Sequence, residues 1–387
     1  MSDVVGRSKL RFEAGQGMAG LERLLPAWQT LMQTIPSLRF NHFPEYYRAY
    51  VASNATDPKR IWFVAAYREQ TLVAIFPLHF QDYIAGAFRP RVLGTIEDDQ
   101  MQLSDFIFAP TAENQGLLCE LTSWLRTQRQ LRWDELRLRK VSAESSLAYA
   151  ARAQLPKAAV ALEYHTSAYF VTDGGYDKAT AAMSTKFKRN LRRLTRHAEE
   201  TAPLQCRSYR RPDELGQAFE TFLDIESSGW KGEGGTSSAI RCKPEMLAFY
   251  THLTREFGAL DACVINLLWH GETPIAGQFC LQIGRTFNIL KVGFLESHAN
   301  IAPGLQLLER MIRKACDDPD IDVLHLLNEP RWATLFKPLI TGVWSFFAPN
   351  WNARGMLVHL GLLVKRKKEG LGGSSSMVVA DTQAETE

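Results

Sequence analysis

The residues best suited to chemistry lie in one short segment that is rich in cations. Six basic residues and no acidic residue occur within eleven positions: Lys186, Lys188, Arg189, Arg192, Arg193 and Arg196. Their combined charge is twice the formal net charge of the chain, which is +3. Like charges on neighbouring turns repel one another unless an anion binds among them. The segment therefore predicts a site for a phosphate or a carboxylate, with a solvated helix face as the alternative.

The spacing of apolar residues indicates the element that carries these cations. Met183, Phe187, Leu191 and Leu194 recur every three or four positions, which places them on one face of a helix. We expect one amphipathic helix over 176–200, with the basic residues on its other faces.

An internal repeat suggests how the rest of the chain is organised. Two apolar runs around a polar turn, the pattern of a hairpin, occur at Trp62–Phe80 and again 202 residues later at Cys263–Ile283. A helix followed by a strand recurs at a separation of 188 residues, beginning at Gly116 and at Gly304. Order and spacing agree, so we predict a duplicated unit with a helix crossing between parallel strands.

The repeat defines the predicted fold class and domains. The fold class is α/β (α+β), with two tandem domains that are each a mixed, twisted sheet flanked by helices. The domains are expected at 10–165 and 166–350, followed by a basic extension at 351–369. The tail 370–387 is rich in Gly, Ser, Thr and acidic residues and is expected to be disordered.

Composition excludes several classes of protein. With 45% hydrophobic residues among 387, the chain is not intrinsically disordered. The near balance of 45 basic and 42 acidic residues argues against binding nucleic acid by bulk charge, and no nucleic-acid partner is expected. No signal peptide is visible, and the longest apolar run near the end, Met356–Val364, is far shorter than the about 20 residues of a bilayer span. We therefore expect a cytoplasmic protein.

The absence of several known motifs argues against further classes of enzyme. The six cysteines are scattered without a C-x-x-C pair, which predicts reduced thiols and no metal site. The sequence also lacks H-x-x-x-D, G-x-S-x-G, H-E-x-x-H and G-x-x-x-x-G-K-[ST] motifs. An acyl-enzyme, a metal hydrolase and a P-loop NTPase are thus disfavoured.

Short motifs in a fixed order resemble a known family. They are Phe43–Tyr47, Ala74–Leu78, Ser184–Arg193, Ile225–Gly232 with Gly234–Thr236, Pro274–Ala276, Leu290–Phe294 with Ala302–Gly304, and Lys337. Over roughly residues 10–350 this pattern is similar to the BioF2-like proteins of the CelD (cellulose biosynthesis) type. That family belongs to the GNAT superfamily of acetyltransferases and is related to the FemAB peptidyltransferases.

The resemblance implies an acyltransferase. It would transfer an acyl group from acetyl-CoA or another acyl-CoA to an amine or hydroxyl of a small molecule, such as a polysaccharide precursor, by direct attack in a ternary complex. Acyl-CoA would be a co-substrate, and no bound cofactor is expected. The pantetheine arm would lie between strands Thr286–Phe294 and Ile321–Leu327, and backbone N–H groups near Val292 and Gly293 would hold the thioester oxygen.

The diphosphate of the donor would lie at the start of the helix Gly304–Cys316, where free N–H groups and the helix dipole favour an anion. Pro303 departs from the glycine-rich loop of the superfamily and has no N–H to donate. It is also a common first residue of a helix. An acyl carrier protein or an aminoacyl-tRNA therefore stays open as the donor.

The same resemblance assigns roles to side chains. Glu226 is the candidate general base, and Lys291 and Lys337 are candidate positive groups near the developing oxyanion. Residues predicted to bind substrate are Lys186, Arg189, Asn190 and Arg193 on the basic helix, and Trp230 and Lys231 in a segment whose flexible glycines suit a lid. A plain surface loop is the alternative for this segment.

The sequence is also compatible with two other functions. One is a FemAB-like aminoacyl transferase, although no long helical-hairpin insertion for tRNA is evident. The other is a non-catalytic module that binds an anion or a membrane. Peripheral membrane contact could involve Met356–Val364 and the basic residues Lys365–Lys368 that follow.

Overall fold

The computed structural model describes residues 9–53, 57–83, 88–96, 101–111 and 114–368. These residues form two compact units, one made of residues up to His165 together with those from Gly342, the other of Thr166–Thr341. The predicted tail 370–387 lies outside the described residues. None of the helices in the described part of the chain is long and apolar enough to cross a membrane.

The strands are β1 Leu10–Gln16, β2 Ile61–Arg68, β3 Thr71–Gln81, β4 Val92–Thr95, β5 Ile107–Phe108, β6 Glu135–Ser142, β7 Val160–Val171, β8 Leu204–Tyr209, β9 Cys263–His270, β10 Thr273–Ile283, β11 Thr286–Phe294, β12 Val323–His325 and β13 Leu339–Pro349.

The helices are α1 Gly17–Glu22, α2 Leu25–Met32, α3 Pro44–Ala52, α4 Leu117–Thr127, α5 Ser146–Gln154, α6 Gly175–Ala179, α7 Thr185–Glu199, α8 Pro212–Ser227, α9 Pro244–Ala259, α10 Pro303–Asp317 and α11 Ala353–Lys368.

The two units repeat one sheet topology. In the first, the strand order is β1-β2-β3-β4-β6-β13, with β5 beside β3. In the second it is β8-β9-β10-β11-β12, followed by the end of β7. Neighbouring strands are antiparallel except for one parallel pair in each unit, β4 with β6 and β11 with β12, and in each pair the connection contains a helix, α4 or α10. The predicted fold class is confirmed.

The last strand of each unit comes from the other half of the sequence. β13 pairs antiparallel with β6 in the first unit, whereas Tyr169–Val171 of β7 pairs antiparallel with β12 in the second. Residues 342–350, which the sequence assigned to the second domain, therefore lie with the first unit. Periodicity reveals that a strand exists, but its partner is set by long-range pairing, which periodicity does not encode.

The helix predicted over 176–200 is two helices. α6 ends at Ala179, and α7 starts after Ser184, whose hydroxyl accepts a hydrogen bond from the Phe187 N–H at 3.1 Å. This side-chain cap satisfies an N–H that would otherwise lack a partner at the helix start. The predicted apolar stripe is buried, with Phe187 and Leu191 in the core of the second unit.

The parallel strands of the first unit are closed against one another. A Cβ on Gly94 in β4 would lie 1.8 Å from the carbonyl oxygen of Arg137 in β6. One residue later, the Thr95 hydroxyl donates to the Arg139 carbonyl at 3.1 Å and accepts from the Arg139 N–H at 2.9 Å. No space remains between these strands at this level.

This close approach predicts a sharp cost for a single methyl group. Gly94→Ala should lower the free energy of unfolding by about 1–3 kcal/mol, because the backbone of β6 must move to admit it. Gly216→Ala in the middle of α8, where a Cβ meets nothing within 4 Å, should raise it by about 0.5–1 kcal/mol. Urea unfolding measures the stability of both variants. If Gly94→Ala is as stable as Gly216→Ala, β4 does not approach the backbone of β6 as closely as described.

Candidate functional site

The parallel strands of the second unit separate where those of the first stay closed. β11 and β12 pair at three positions, as β4 and β6 do, and the pairing ends with Asn288 opposite His325. β11 then continues for six residues to Phe294. Beyond β12 the chain follows β7 instead, since the Leu326 N–H donates to the Ala168 carbonyl at 2.8 Å. A gap therefore opens beside the second half of β11.

A bulge in β11 lies next to this gap. Phe279 of β10 faces Lys291 and the next residue, Cys280, faces Ile289, which leaves Leu290 without a partner in the register. Bulges bend a strand and change the direction of the groups that follow. After the bulge, Val292 packs against the core that contains residues of α10, whereas Lys291 lies on the side of α9, with its Nζ 5.8 Å from the ring of Tyr250.

A lysine and a buried carboxylate meet the strand after the bulge. The Lys231 Nζ donates to the carbonyl oxygen of Val292 at 2.9 Å and lies 3.7 Å from the Glu226 Oε1. Glu226 is 3% exposed, and its Oε2 accepts the Ile240 N–H at 2.9 Å. Lys231 therefore brings a positive charge to the strand, close to where Gly293 follows.

Gly293 has a structural reason to lack a side chain. A Cβ there would lie 2.8 Å from the Cα of Glu226, so α8 packs directly on β11 at this point. Close approach of a helix to a strand requires glycine here, whether or not a ligand also approaches.

The glycine-rich segment after α8 is a compact loop. The Thr236 N–H donates to the Trp230 carbonyl at 2.7 Å, and the Ala239 N–H donates to the Lys231 carbonyl at 2.8 Å. A Cβ on Gly235 would lie 1.9 Å from the Trp230 carbonyl, so this glycine permits close packing of the loop on itself. Flexible glycines suited a lid at this segment, whereas in the structure Gly232 and Gly235 serve close packing.

Glu296 holds this loop at the end of β11. Its Oε1 accepts the Trp230 N–H at 2.9 Å, and a Cβ on Gly229 would collide with the same carboxylate. The Trp230 side chain is about half exposed beside it. Sequence reasoning missed Glu296, because a single acidic residue after a strand carries no pattern that marks it.

The start of α10 is open and carries free backbone donors. Pro303 is the first residue of the helix, and Ala302 before it has a left-handed backbone with φ of 49°. A Cβ on Gly304 would meet only Phe294, at 3.7 Å. Because Pro303 has no N–H, the Gly304 and Leu305 amides are the first donors of the helix, and such amides attract anions.

A buried amide connects α7 to this helix start. Gln306 is 1% exposed; its Nε2 donates to the Ile301 carbonyl at 2.9 Å, and its Oε1 accepts from the Thr195 hydroxyl at 2.9 Å. The second half of the basic helix thus packs beside the first turn of α10. Burial and the nearby Glu309 raise the pKa of Tyr176 in α6 to about 12, and the charges of Arg313 and Arg192 oppose this increase.

The predicted substrate-binding residues of α7 lie along one exposed stripe of the helix. Lys186, Arg189 and Arg193 are exposed, and the Arg193 guanidinium donates to the Asn190 Oδ1 at 3.1 Å. Within the described residues, none of the six cations of α7 forms an ion pair with a carboxylate. Their charge is therefore available to an anion from solution.

The predicted catalytic residues fall in two places. Glu226 lies at β11 near Lys291 and contacts Lys231, which was predicted to bind substrate. Lys337 is exposed and follows the short helical turn Arg331–Phe336. Phe336 packs on Phe187 of α7, with ring centroids 5.1 Å apart, so Lys337 lies near the start of the basic helix. No contact joins it to Glu226 in the described part of the chain.

The cysteines offer no nucleophile at these places. Burial raises the pKa of Cys263 to about 12 and raises that of Cys280 as well, so both thiols stay protonated and pack as small apolar groups. All six cysteines are free, and the described residues contain no cluster of His, Cys, Asp and Glu that could hold a metal ion.

Comparison with known proteins agrees with this topology. Residues 185–330, which lie in the second unit and contain the gap, match the family model described as an acetyltransferase (GNAT) domain. FemX is similar in structure, with 8% identity, a TM-score of 0.57, and coverage of 90% of this chain and 100% of that chain. A conserved protein of unknown function from Bacteroides thetaiotaomicron VPI-5482 has 12% identity and a TM-score of 0.52, covering 88% and 100%. None of the curated proteins matches this sequence.

At such low identities the two structures establish the shared fold and nothing finer. The family match adds that residues 185–330 are similar to a GNAT acetyltransferase domain, so this part of the chain has a GNAT-type fold.

Proposed function

We propose that the second unit transfers an acyl group from acyl-CoA to the amine or hydroxyl of a small molecule. The separation of β11 from β12 after Asn288 carries the proposal. An extended pantetheine arm needs a strand edge that no neighbouring strand pairs with, and the second half of β11 offers such an edge, on which Lys231 contacts the Val292 carbonyl. In the described part of the first unit, the equivalent strands are closed at Gly94 and Thr95.

The residues around the gap fit the parts of the donor. The Gly304 and Leu305 amides at the start of α10 would bind the diphosphate, next to the positive charge of α7. Amide groups near Val292 and Gly293 would hold the thioester oxygen, with the Lys231 ammonium increasing the local positive potential. Lys291, on the α9 side of the strand, would be the second positive group near the site.

The reaction needs no covalent intermediate with the protein. The acceptor nitrogen or oxygen attacks the thioester carbon, the carbon–sulfur bond breaks, and coenzyme A leaves as the thiolate. The proton of the nucleophile must pass to a base, for which Glu226 is the candidate. Both oxygens of Glu226 already have partners, so proton transfer would run through a water molecule while Glu226 also positions Lys231.

Isothermal titration with acetyl-CoA and longer acyl-CoAs tests the proposed function, combined with release of free thiol in the presence of amine and hydroxyl acceptors. We expect binding of at least one acyl-CoA and release of coenzyme A that depends on an acceptor. Absence of both for every acyl length would contradict the proposal. Transfer from aminoacyl-tRNA without acyl-CoA binding would instead support a FemAB-like donor.

The exposed stripe on α7 is proposed to bind an anionic group of the acceptor. Glucosamine and glucosamine 6-phosphate provide a matched pair of acceptors for an assay. Replacing Lys186, Arg189 and Arg193 by Gln should reduce kcat/KM about tenfold for the phosphorylated sugar and leave it unchanged for the neutral one. The same change at Lys188, Arg192 and Arg196 is the charge-matched control. Equal loss for both sugars in both variants would argue against a recognition stripe.

A further inference from the structure

The last described helix of the first unit is apolar on the face that it turns to solvent. In α11, Val358 and His359 point inward and are buried. On the opposite side Leu360 is 58% exposed and Leu363 is 40% exposed. A helix that is apolar on every side is normally covered on every side. Within the described residues of this chain, nothing covers the outer face of α11.

The exposed face is continuous. Met356, Leu360, Leu363 and Val364 lie three or four positions apart, so their side chains share about a third of the helix circumference. The charged residue at the start of the helix, Arg354, is engaged elsewhere, because its Nε donates to Asp134 at 3.2 Å. Contiguous apolar surface of this kind marks an interaction site.

The sequence at the end of α11 indicates which partner fits this face. The helix closes with four consecutive basic residues, Lys365, Arg366, Lys367 and Lys368. A second copy of this chain would bring two such basic clusters together, which is unfavourable. An acidic lipid surface offers negative charge to the cluster and an apolar layer to the leucines.

We propose that α11 docks the first unit on an anionic lipid bilayer, with its outer apolar face in the interfacial layer and its basic end among acidic headgroups. The helix lies along the surface, because its inner face stays packed on the unit through Val358 and Leu362. This inference uses only residues of the first unit and is independent of the proposed acyl transfer.

Vesicle sedimentation of the full chain tests the proposal directly. Binding to vesicles with about one third phosphatidylglycerol should exceed binding to pure phosphatidylcholine at least tenfold and should weaken with salt. Each basic residue near an anionic surface contributes about fivefold. Replacing Lys365–Lys368 by Gln should therefore remove most of the preference for acidic lipid.

The apolar contribution is tested by Leu360→Glu combined with Leu363→Glu, which should lower binding at least tenfold without changing the unfolding midpoint. The control is Tyr149→Glu with Leu260→Glu, the same change in charge at two other exposed apolar positions. Equal loss in both double variants, or no binding by the full chain, would overturn the proposal. Binding that appears only after residues 370–387 are removed would also overturn it, because the tail would then be the occupant of the apolar face. A dimer that Leu360→Glu dissociates would overturn it as well, because the occupant would then be a second copy.

Discussion

The Gly304→Glu variant is expected to bind acyl-CoA at least about tenfold more weakly while remaining as stable as the wild type or slightly more so. A Cβ is accommodated at this position, because it meets only Phe294 at an ordinary contact distance of 3.7 Å. A carboxylate in the first turn interacts favourably with the helix dipole, by about 0.3–1 kcal/mol. The same carboxylate occupies the position of the proposed diphosphate and repels it.

A loss of acyl-CoA affinity without a loss of stability would show that Gly304→Glu acts on the donor site and not on the fold. Gly304→Ala is the control, since it adds the same Cβ without charge and should keep acyl-CoA affinity within about threefold. Thermal unfolding and isothermal titration measure the two quantities. If Gly304→Glu binds acyl-CoA as tightly as Gly304→Ala does, the diphosphate does not lie at the start of α10.

The Lys231→Met variant should lose about 10²–10³-fold in kcat, a loss comparable to removing one preorganised group that stabilises an oxyanion. Lys231 connects Glu226 to the carbonyl oxygen of Val292, beside the backbone groups proposed to hold the thioester. The free energy of unfolding should also fall by about 1–3 kcal/mol, because the buried Glu226 loses its cationic partner.

A second variant separates these two effects. Combining Lys231→Met with Glu226→Gln removes the uncompensated carboxylate, so part of the lost stability should return while kcat stays low. Steady-state kinetics and urea unfolding of both variants provide the comparison. Recovery of the rate together with the stability would mean that Lys231 only supports the fold.

The sequence predicts the elements that are local in nature. β9 and β10 repeat β2 and β3 at the separation of 202 residues, and β11 has the predicted bounds Thr286–Phe294. Such strands bury alternate or continuous apolar residues on either side of a turn. This pattern is visible within a short stretch of sequence, so the strands can be predicted from it. The apolar stripe of α7 can be predicted from the sequence for the same reason.

Contacts between distant segments were not predictable in the same way. The pairing of β7 with β12 joins residues about 150 positions apart, and no local pattern encodes it. No local pattern predicts the contact of Lys231 with the Val292 carbonyl or the packing of α8 on Gly293 either. The glycines near Trp230 suggested a mobile lid, because a sequence cannot distinguish glycine needed for close packing from glycine that confers freedom.

Hydrogen exchange with and without acetyl-CoA tests the central claim most directly. If the donor lies in the gap of the second unit, amides in 289–294 and in 304–308 should become protected on binding. The equivalent strands of the first unit, Val92–Thr95 and Glu135–Ser142, provide an internal control and should not change. Protection of the first-unit strands, or none along β11 at saturating acetyl-CoA, would contradict the account.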